Sequence, residues 1–437
     1  MQFSPAPHRT LKRAGNRAGV RRSLVLLAIV AAVAVPGTAS ASTSIRYGVQ
    51  DDAWIRYGPG TLAQRLDRLR SLGVELVRMN LVWSEVEPKP GVFDWSGYDT
   101  VLGGLHARGI EPVLTLVSTP RWANGGQSSN WAPTSGATFA AFATAAAKHY
   151  PYVRRWLIWN EPNQRRWLRP TEPAVYVQKL LNPAYAAIHR VHPGALVAGG
   201  VTAPRAATGG VSPVAWIHGM AEAHAHLDAY AHNPYPLDPG ETPTSGGCDH
   251  CATLTMATLP RLIADVRAAF GAKTRIWLSE YGYQTDPPDR LLGVPDATQA
   301  RYLDEAALRA YLAPRVDMLV QYLVQDDSQL AGWQSGLMTA SGARKPSYAA
   351  FQVPLVIEKR TASSLTLWGQ IRPGTGKRQY QLEVLRDSAW EPLDGVELTG
   401  GRGFFVRTVA AAPQPSLFRV VEITRGLASA TSQPVAG

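Results

Sequence analysis

The feature that most constrains this chain is an eightfold alternation. Short, nearly continuous apolar runs rich in β-branched and aromatic residues take turns with longer amphipathic stretches. The runs are IRYGVQ (45–50), VELVRMN (74–80), EPVLTLV (111–117), RWLIWN (155–160), ALVAGGV (195–201), LDAYAHN (227–233), TRIWLSE (274–280) and VDMLVQYLV (316–324). Runs apolar on both faces suit parallel strands buried on both sides. The stretches between them carry helical spacing. In TLAQRLDRLRSLG, Leu62, Leu66, Leu69 and Leu72 share a face, Thr61 and Gln64 fit a capping box, and Gly73 closes the helix. Eight such alternations favour a (β/α)8 barrel, the TIM-barrel form of the α/β class. A doubly wound open sheet is the rival, but the first strand–helix turn has no glycine fingerprint for a dinucleotide.

The texture changes after PSYAAF (346–351). SSLTLWGQIR, RQYQLEVL, GFFVRTVA and SLFRVVEI alternate apolar and polar residues with period two, with RPGTGK and TGGRG as turns between them. This predicts a small all-β sandwich. The expected division is a leader over 1–41, a barrel over 42–353, the β-domain over 354–425 and a flexible tail over 426–437. The β-domain is expected to pack on the barrel, since no row of exposed aromatics marks it as a glycan-binding module.

The leader reads as a secretory signal peptide. Arg9, Lys12, Arg13, Arg17, Arg21 and Arg22 precede SLVLLAIVAAVAV, which leads to Ala39-Ser40-Ala41. The apolar run is short of the roughly 20 residues of a spanning helix, so a secreted or cell-surface protein without a transmembrane segment is expected. Arg21-Arg22 is a loose match to a twin-arginine signal. Losing the six basic residues takes the formal charge from +11 to +5. That mild balance, with no basic stripe carrying interleaved aromatics, excludes nucleic acid as the expected partner. The two cysteines, Cys248 and Cys251, are expected to form a short local disulfide in an oxidising compartment. A zinc site would need two further ligands, and only His250 lies nearby.

Reactive groups of a barrel sit where strands end in βα-loops. Glu161 follows the fourth run and Glu280 ends the seventh. Two carboxylates in one cleft split their roles, because an ionised one raises its neighbour's pKa. That division suits glycosidic bond cleavage, where one group protonates the leaving oxygen and the other attacks the anomeric carbon.

WNEPN (159–163) and WLSEYGY (277–283) resemble the acid/base and nucleophile motifs of clan A glycoside hydrolases, with families 5 and 39 the nearest likeness. VRMNLVWSEVEPKPGVFDWSGYD (77–99), GWQSGL (332–337) and RKPSYAAF (344–351) extend the likeness across 45–352. The resemblance implies a retaining double displacement with Glu161 as acid/base and Glu280 as nucleophile. It implies that Asn160 binds the sugar 2-hydroxyl, that Arg78 holds Glu280 ionised, that Tyr235 touches the nucleophile and that Trp333 floors the sugar. Where the family often has His-Pro-Tyr, this chain has Asn233-Pro234-Tyr235 with His232 one place early. Strand alternation puts Asn233 and Tyr235 on one side and turns His232 away; Asn233 is carried as a candidate contact. Glu85 and Glu87 read as loop-fixing, and Asp326 and Asp327 have no assigned role. Trp83, Trp122, Trp131 and Trp167 fall on or near βα-loops; Trp83 and Trp122 are taken as candidate sugar-stacking residues.

The expectation is a secreted, monomeric β-glycosidase without metal or organic cofactor. It acts on a polysaccharide or oligosaccharide and leans towards endo-hydrolysis, because aromatics scattered on long loops would line a groove. An exo-β-xylosidase or glucosidase, or a transglycosylase, would use the same glutamates. A catalytically dead glycan-binding barrel is the alternative of another class; a metal-dependent barrel enzyme would need a His/Asp cluster that the strand ends do not show.

Overall fold

The computed structural model describes residues 41–248, 250–411 and 416–437. The expected leader lies outside the described residues but for Ala41. Eight parallel strands close a barrel: β1 (Arg46–Gln50), β2 (Leu76–Val82), β3 (Glu111–Val117), β4 (Arg155–Ile158), β5 (Leu196–Thr202), β6 (Ala229–His232), β7 (Arg275–Tyr281) and β8 (Val316–Tyr322). Closure is made by β1, which pairs with β2 and with β8 through Arg46 opposite Met318. Inside lies a cluster including Leu76, Val113, Leu157, Ala198, Ala231, Trp277 and Val320. The larger core lies between the strands and the helices around them. The capping box at Thr61 is present: the Thr61 hydroxyl accepts from Gln64 N at 3.2 Å, and Thr61 N donates to the Gln64 side chain at 2.8 Å.

Two antiparallel sheets follow. One contains β9 (Leu355–Arg360), β10 (Ser364–Gln370) and β13 (Phe404–Ala410). The other contains β11 (Gln379–Arg386), β12 (Ala389–Pro392), β14 (Leu417–Thr424) and β15 (Leu427–Thr431). Their inner faces share Leu365, Leu367, Tyr380, Leu382, Phe405 and Val420, the alternation that the period-two pattern requires. Residues 427–431 and 435–436 correct the expected flexible tail, since both pair with β14. The reversal is made at Arg425 and Gly426, both at positive φ (53° and 80°), a two-residue turn whose twist suits a hairpin.

The sandwich is joined to the barrel by shared packing. Trp368 is fully buried in the barrel's own core and rests against Tyr311 and Phe404. Arg402 donates to Glu75 at 2.7 Å and to the Ile45 carbonyl at 3.0 Å. Gly73, at φ 82°, lies where a Cβ would meet the Arg372 backbone at 2.7 Å, so the helix stop is also the seat of the second domain.

Candidate active site

The end of β4 is bent by its own backbone. Trp159 and Glu161 take φ of 70° and 39°, a left-handed region that costs a non-glycine residue energy and persists only when surroundings over-determine it. Here they do. Glu161 N donates to the Val201 carbonyl at 2.9 Å, and the Asn163 side chain accepts from Ala203 N at 2.9 Å and donates to the Val211 carbonyl at 3.0 Å. Glu161, 5% exposed, is thereby turned into the top of the barrel. On β7 the register against β8 passes from Leu278 opposite Leu319 to Tyr281 opposite Gln321. The extra residue is a bulge around Ser279 and Glu280, a device that re-aims a side chain next to a site.

Arg78 links the two ends. It is 0% exposed and donates to Glu280 Oε1 at 2.5 Å, Asn160 Oδ1 at 2.7 Å, the Ser279 carbonyl at 3.0 Å and Thr115 Oγ1 at 3.0 Å. Tyr235 donates to Glu280 Oε2 at 3.2 Å. Asn233 donates to Glu161 Oε1 at 3.3 Å and accepts from Ser279 Oγ at 2.7 Å. Glu161 Oε2 accepts from Arg166 Nη2 and Trp167 Nε1, each at 3.0 Å. Burial pushes the Glu280 carboxyl up to about 7; the Arg78 guanidinium pulls it back and the Glu161 charge adds to the rise. The two carboxylates therefore act on each other directly. His232 faces away, as alternation requires: its ring meets Thr202 Oγ1 at 2.8 Å and the Leu254 carbonyl at 2.9 Å, and burial lowers its pKa to about 4.

Both glutamates open into a cavity of about 510 Å³ that also presents Asn160, Tyr235, Tyr322 and Trp333. Trp333 is 38% exposed; its ring lies 5.3 Å from that of Tyr235 and 5.7 Å, edge-on, from that of Tyr322. Asp326 and Asp327, unassigned from sequence, fix its loop. Asp327 accepts from Trp333 N at 2.7 Å, while Asp326 accepts from Gly336 N at 2.8 Å and pairs with the buried Lys345 at 2.7 Å. Asp52 likewise holds Asn80, which lines the same cavity, through Asn80 N at 2.8 Å and Asn80 Nδ2 at 3.3 Å.

The structure thus brings Arg78, Asn160, Glu161, Tyr235, Glu280 and Trp333 together. Asn233 is fully buried and holds Glu161 instead of facing the cavity. Trp83 and Trp122 are not in it. Trp83 is fully buried, stacked on Phe142 at 5.3 Å and bonded to Glu87 at 2.6 Å. Trp122 packs edge-on against Trp83 and donates to the Glu87 carbonyl at 2.9 Å. Glu87 is loop-fixing, as expected. Trp167 lines the cavity in their place, with Gln164, Arg166 and Arg205. The expected disulfide is also corrected: Cys248 and Cys251 are free thiols. Cys251 N donates to Cys248 Sγ at 3.1 Å and Cys251 Sγ lies 2.9 Å from Thr253 Oγ1, so the turn is closed by hydrogen bonds. Among the described residues no group of three or more His, Cys, Asp or Glu is placed to hold a metal ion, and no helix is long and apolar enough to cross a membrane.

The fold is a closed parallel barrel with a C-terminal sandwich, and two buried glutamates stand at its strand ends. The sequence profile of the family Glyco_hydro_42, Beta-galactosidase, matches residues 52–126. No curated protein gives a significant match. Among solved structures, the chain is similar to a family 39 glycoside hydrolase from the gut symbiont Bacteroides cellulosilyticus WH2, with 17% identity, 84% of this chain and 79% of that one covered, and a TM-score of 0.60. It is also similar to a glucosidase from Croceicoccus marinus (15%, 85% and 94%, 0.56) and to the GH39 enzyme from Xanthomonas axonopodis pv. citri (15%, 88% and 96%, 0.55).

Proposed function

We propose that this protein is an exported glycosidase that cleaves β-glycosidic bonds with retention of configuration. The observation that carries the reading is the pairing of Glu161 and Glu280 in one cavity, with Arg78 and Tyr235 on one and Asn233 on the other. Glu280 attacks the anomeric carbon. Arg78 and Tyr235 bond its two oxygens and fix its aim. Glu161 gives a proton to the glycosidic oxygen as the C–O bond breaks, then takes one from the water that hydrolyses the glycosyl-enzyme. When Glu161 carries that proton its charge no longer raises Glu280, and the pull of Arg78 favours the ionised nucleophile. Asn160, which Arg78 orients, donates to the sugar 2-hydroxyl in this reading, and Trp333 is the floor.

The size of the cavity, within the range of a small-molecule pocket, favours short oligosaccharides or chain ends. The expected lean towards endo-action loses its main support, because Trp83 and Trp122 are packed away from the cavity. An aryl β-glycoside panel tests the reading. Glu280→Ala is expected to abolish turnover with the fold intact, and wild-type inactivity across glycosides and short oligosaccharides would favour a glycan-binding barrel instead.

A further inference from the structure

Glu161 is engaged on an oxygen it needs free. An acid that protonates a departing oxygen must point a proton-bearing atom at it, yet Oε1 accepts from Asn233 and Oε2 accepts from both Trp167 and Arg166. Asn233 is buried, but the Arg166 side chain is 69% exposed, with its guanidinium 5.7 Å from the centre of the Trp167 ring. Of the three donors it is the one that can leave.

The cavity has two flanks. Gln50, Asn80 and Tyr322 lie on β1, β2 and β8, with Trp333 beyond β8; Gln164, Arg166, Trp167 and Arg205 come from beyond β4 and β5. The second flank adjoins Glu161, so it receives the group that departs. It carries two guanidinium groups. Arg205 is exposed, with Nη1 donating to the Pro236 carbonyl at 3.2 Å.

Resting on the glycosidase reading above, we propose that this flank takes a leaving group bearing an oxyanion, as an acidic sugar does, and that Arg166 reads it by moving from Glu161 to the substrate. The exchange keeps the guanidinium paired and frees Oε2 to take up from solvent the proton that it then donates. A neutral leaving group offers no such exchange: Arg166 either stays on the acid and blocks it or is released to water. Planar guanidinium groups suit carboxylate and sulfate alike. Arg166 returns to the Glu161 carboxylate only after the glycosyl-enzyme is hydrolysed and Glu161 has passed to solvent the proton it took from the attacking water.

The test uses three aryl β-glycosides of the sugar that wild type turns over in a Glu280-dependent way. They carry para carboxymethyl, sulfomethyl or carbamoylmethyl groups, whose methylene insulates the phenol. Wild type is expected to favour the carboxylate over the amide about tenfold in kcat/KM, a charge-assisted contact discounted for exposure. Arg166→Gln brings that ratio near one, and Arg166→Lys restores part of it. A sulfonate favoured as well means that any oxyanion is read; a carboxylate favoured alone means a uronate. Both support the proposal. Equal kcat/KM for acid and amide in wild type, or a preference that survives Arg166→Gln, overturns it and leaves the glycosidase reading standing. Turnover of no glycoside at all overturns that reading, and this inference with it.

Discussion

Arg78 and Glu280, 202 positions apart in sequence, meet at 2.5 Å under the mouth of the barrel. The arginine is fully buried and also holds Asn160, so one guanidinium orients the nucleophile and the residue beside the acid. Breaking a buried pair by removing one partner costs about 3–5 kcal/mol, whereas removing both is far milder. Arg78→Met is therefore expected to lower stability by that order and kcat by at least about a hundredfold. In urea unfolding, Arg78→Met with Glu280→Gln should regain most of the lost stability while staying inactive. A double variant as unstable as the single would show that Arg78 acts through packing alone.

The Glu280 carboxyl, lifted to about 7 by burial against the pull of Arg78, must be ionised to attack. In the active form Glu161 holds its proton and adds no rise, so kcat/KM is expected to show an acid limb below about 7 but displaced by burial above the ordinary glutamate value. Replacing the guanidinium weakens the main pull against burial and leaves the Tyr235 hydrogen bond as the other one. Arg78→Lys, which keeps a charge without the fork, should move that limb upward in whatever activity remains. A limb near the ordinary glutamate value would contradict the account.

Trp333 and Trp83 separate stacking from packing. Trp333→Ala is expected to raise KM and cut kcat/KM about tenfold, with melting almost unchanged, since an exposed ring contributes to a sugar contact and little to the core. Trp83→Ala, which empties a fully buried site between Phe139, Phe142 and Trp122, should cost about 3–5 kcal/mol of stability. Thermal melts and kinetics on both variants check the contrast.

His232, held neutral between Thr202 and Leu254 with a pKa lowered to about 4, ties stability to acid. Between its unfolded value near 6.5 and about 4 the unfolded chain binds the extra proton. Stability is thus present above about 6.5 and is lost as pH falls towards 4, by about 3 kcal/mol for this group. His232→Gln should be less stable at neutral pH, and its deficit should shrink over that window. Paired denaturation curves at several pH values measure it.

Much of this was legible from pattern. The barrel runs fall within two residues of the observed strand starts because strands buried on both faces leave apolar signatures that few other elements share. Glu161 and Glu280 could be placed because they stand at the C-terminal ends of such runs. The tryptophans could not be sorted by proximity to loops. Arg78 and Asn80 alternate towards the barrel interior on β2, while Trp83 begins the next helical turn and falls among the helices; that register was available, but loop geometry was not. Arg166 and Trp167 lie five and six places beyond Glu161, yet only the left-handed turn at Glu161 folds them back onto its carboxylate. The hairpin at 425–426 was hidden because arginine is an unusual residue at positive φ.

The most direct test is covalent. An activated 2-deoxy-2-fluoro-β-glycoside, whose fluorine slows release of the glycosyl-enzyme, should inactivate the protein with a stoichiometry of one. Peptide mass analysis should then place the sugar on Glu280. Turnover that releases the inverted anomer, or a label on any other carboxylate, would contradict the assignment of Glu280 as nucleophile and Glu161 as its acid.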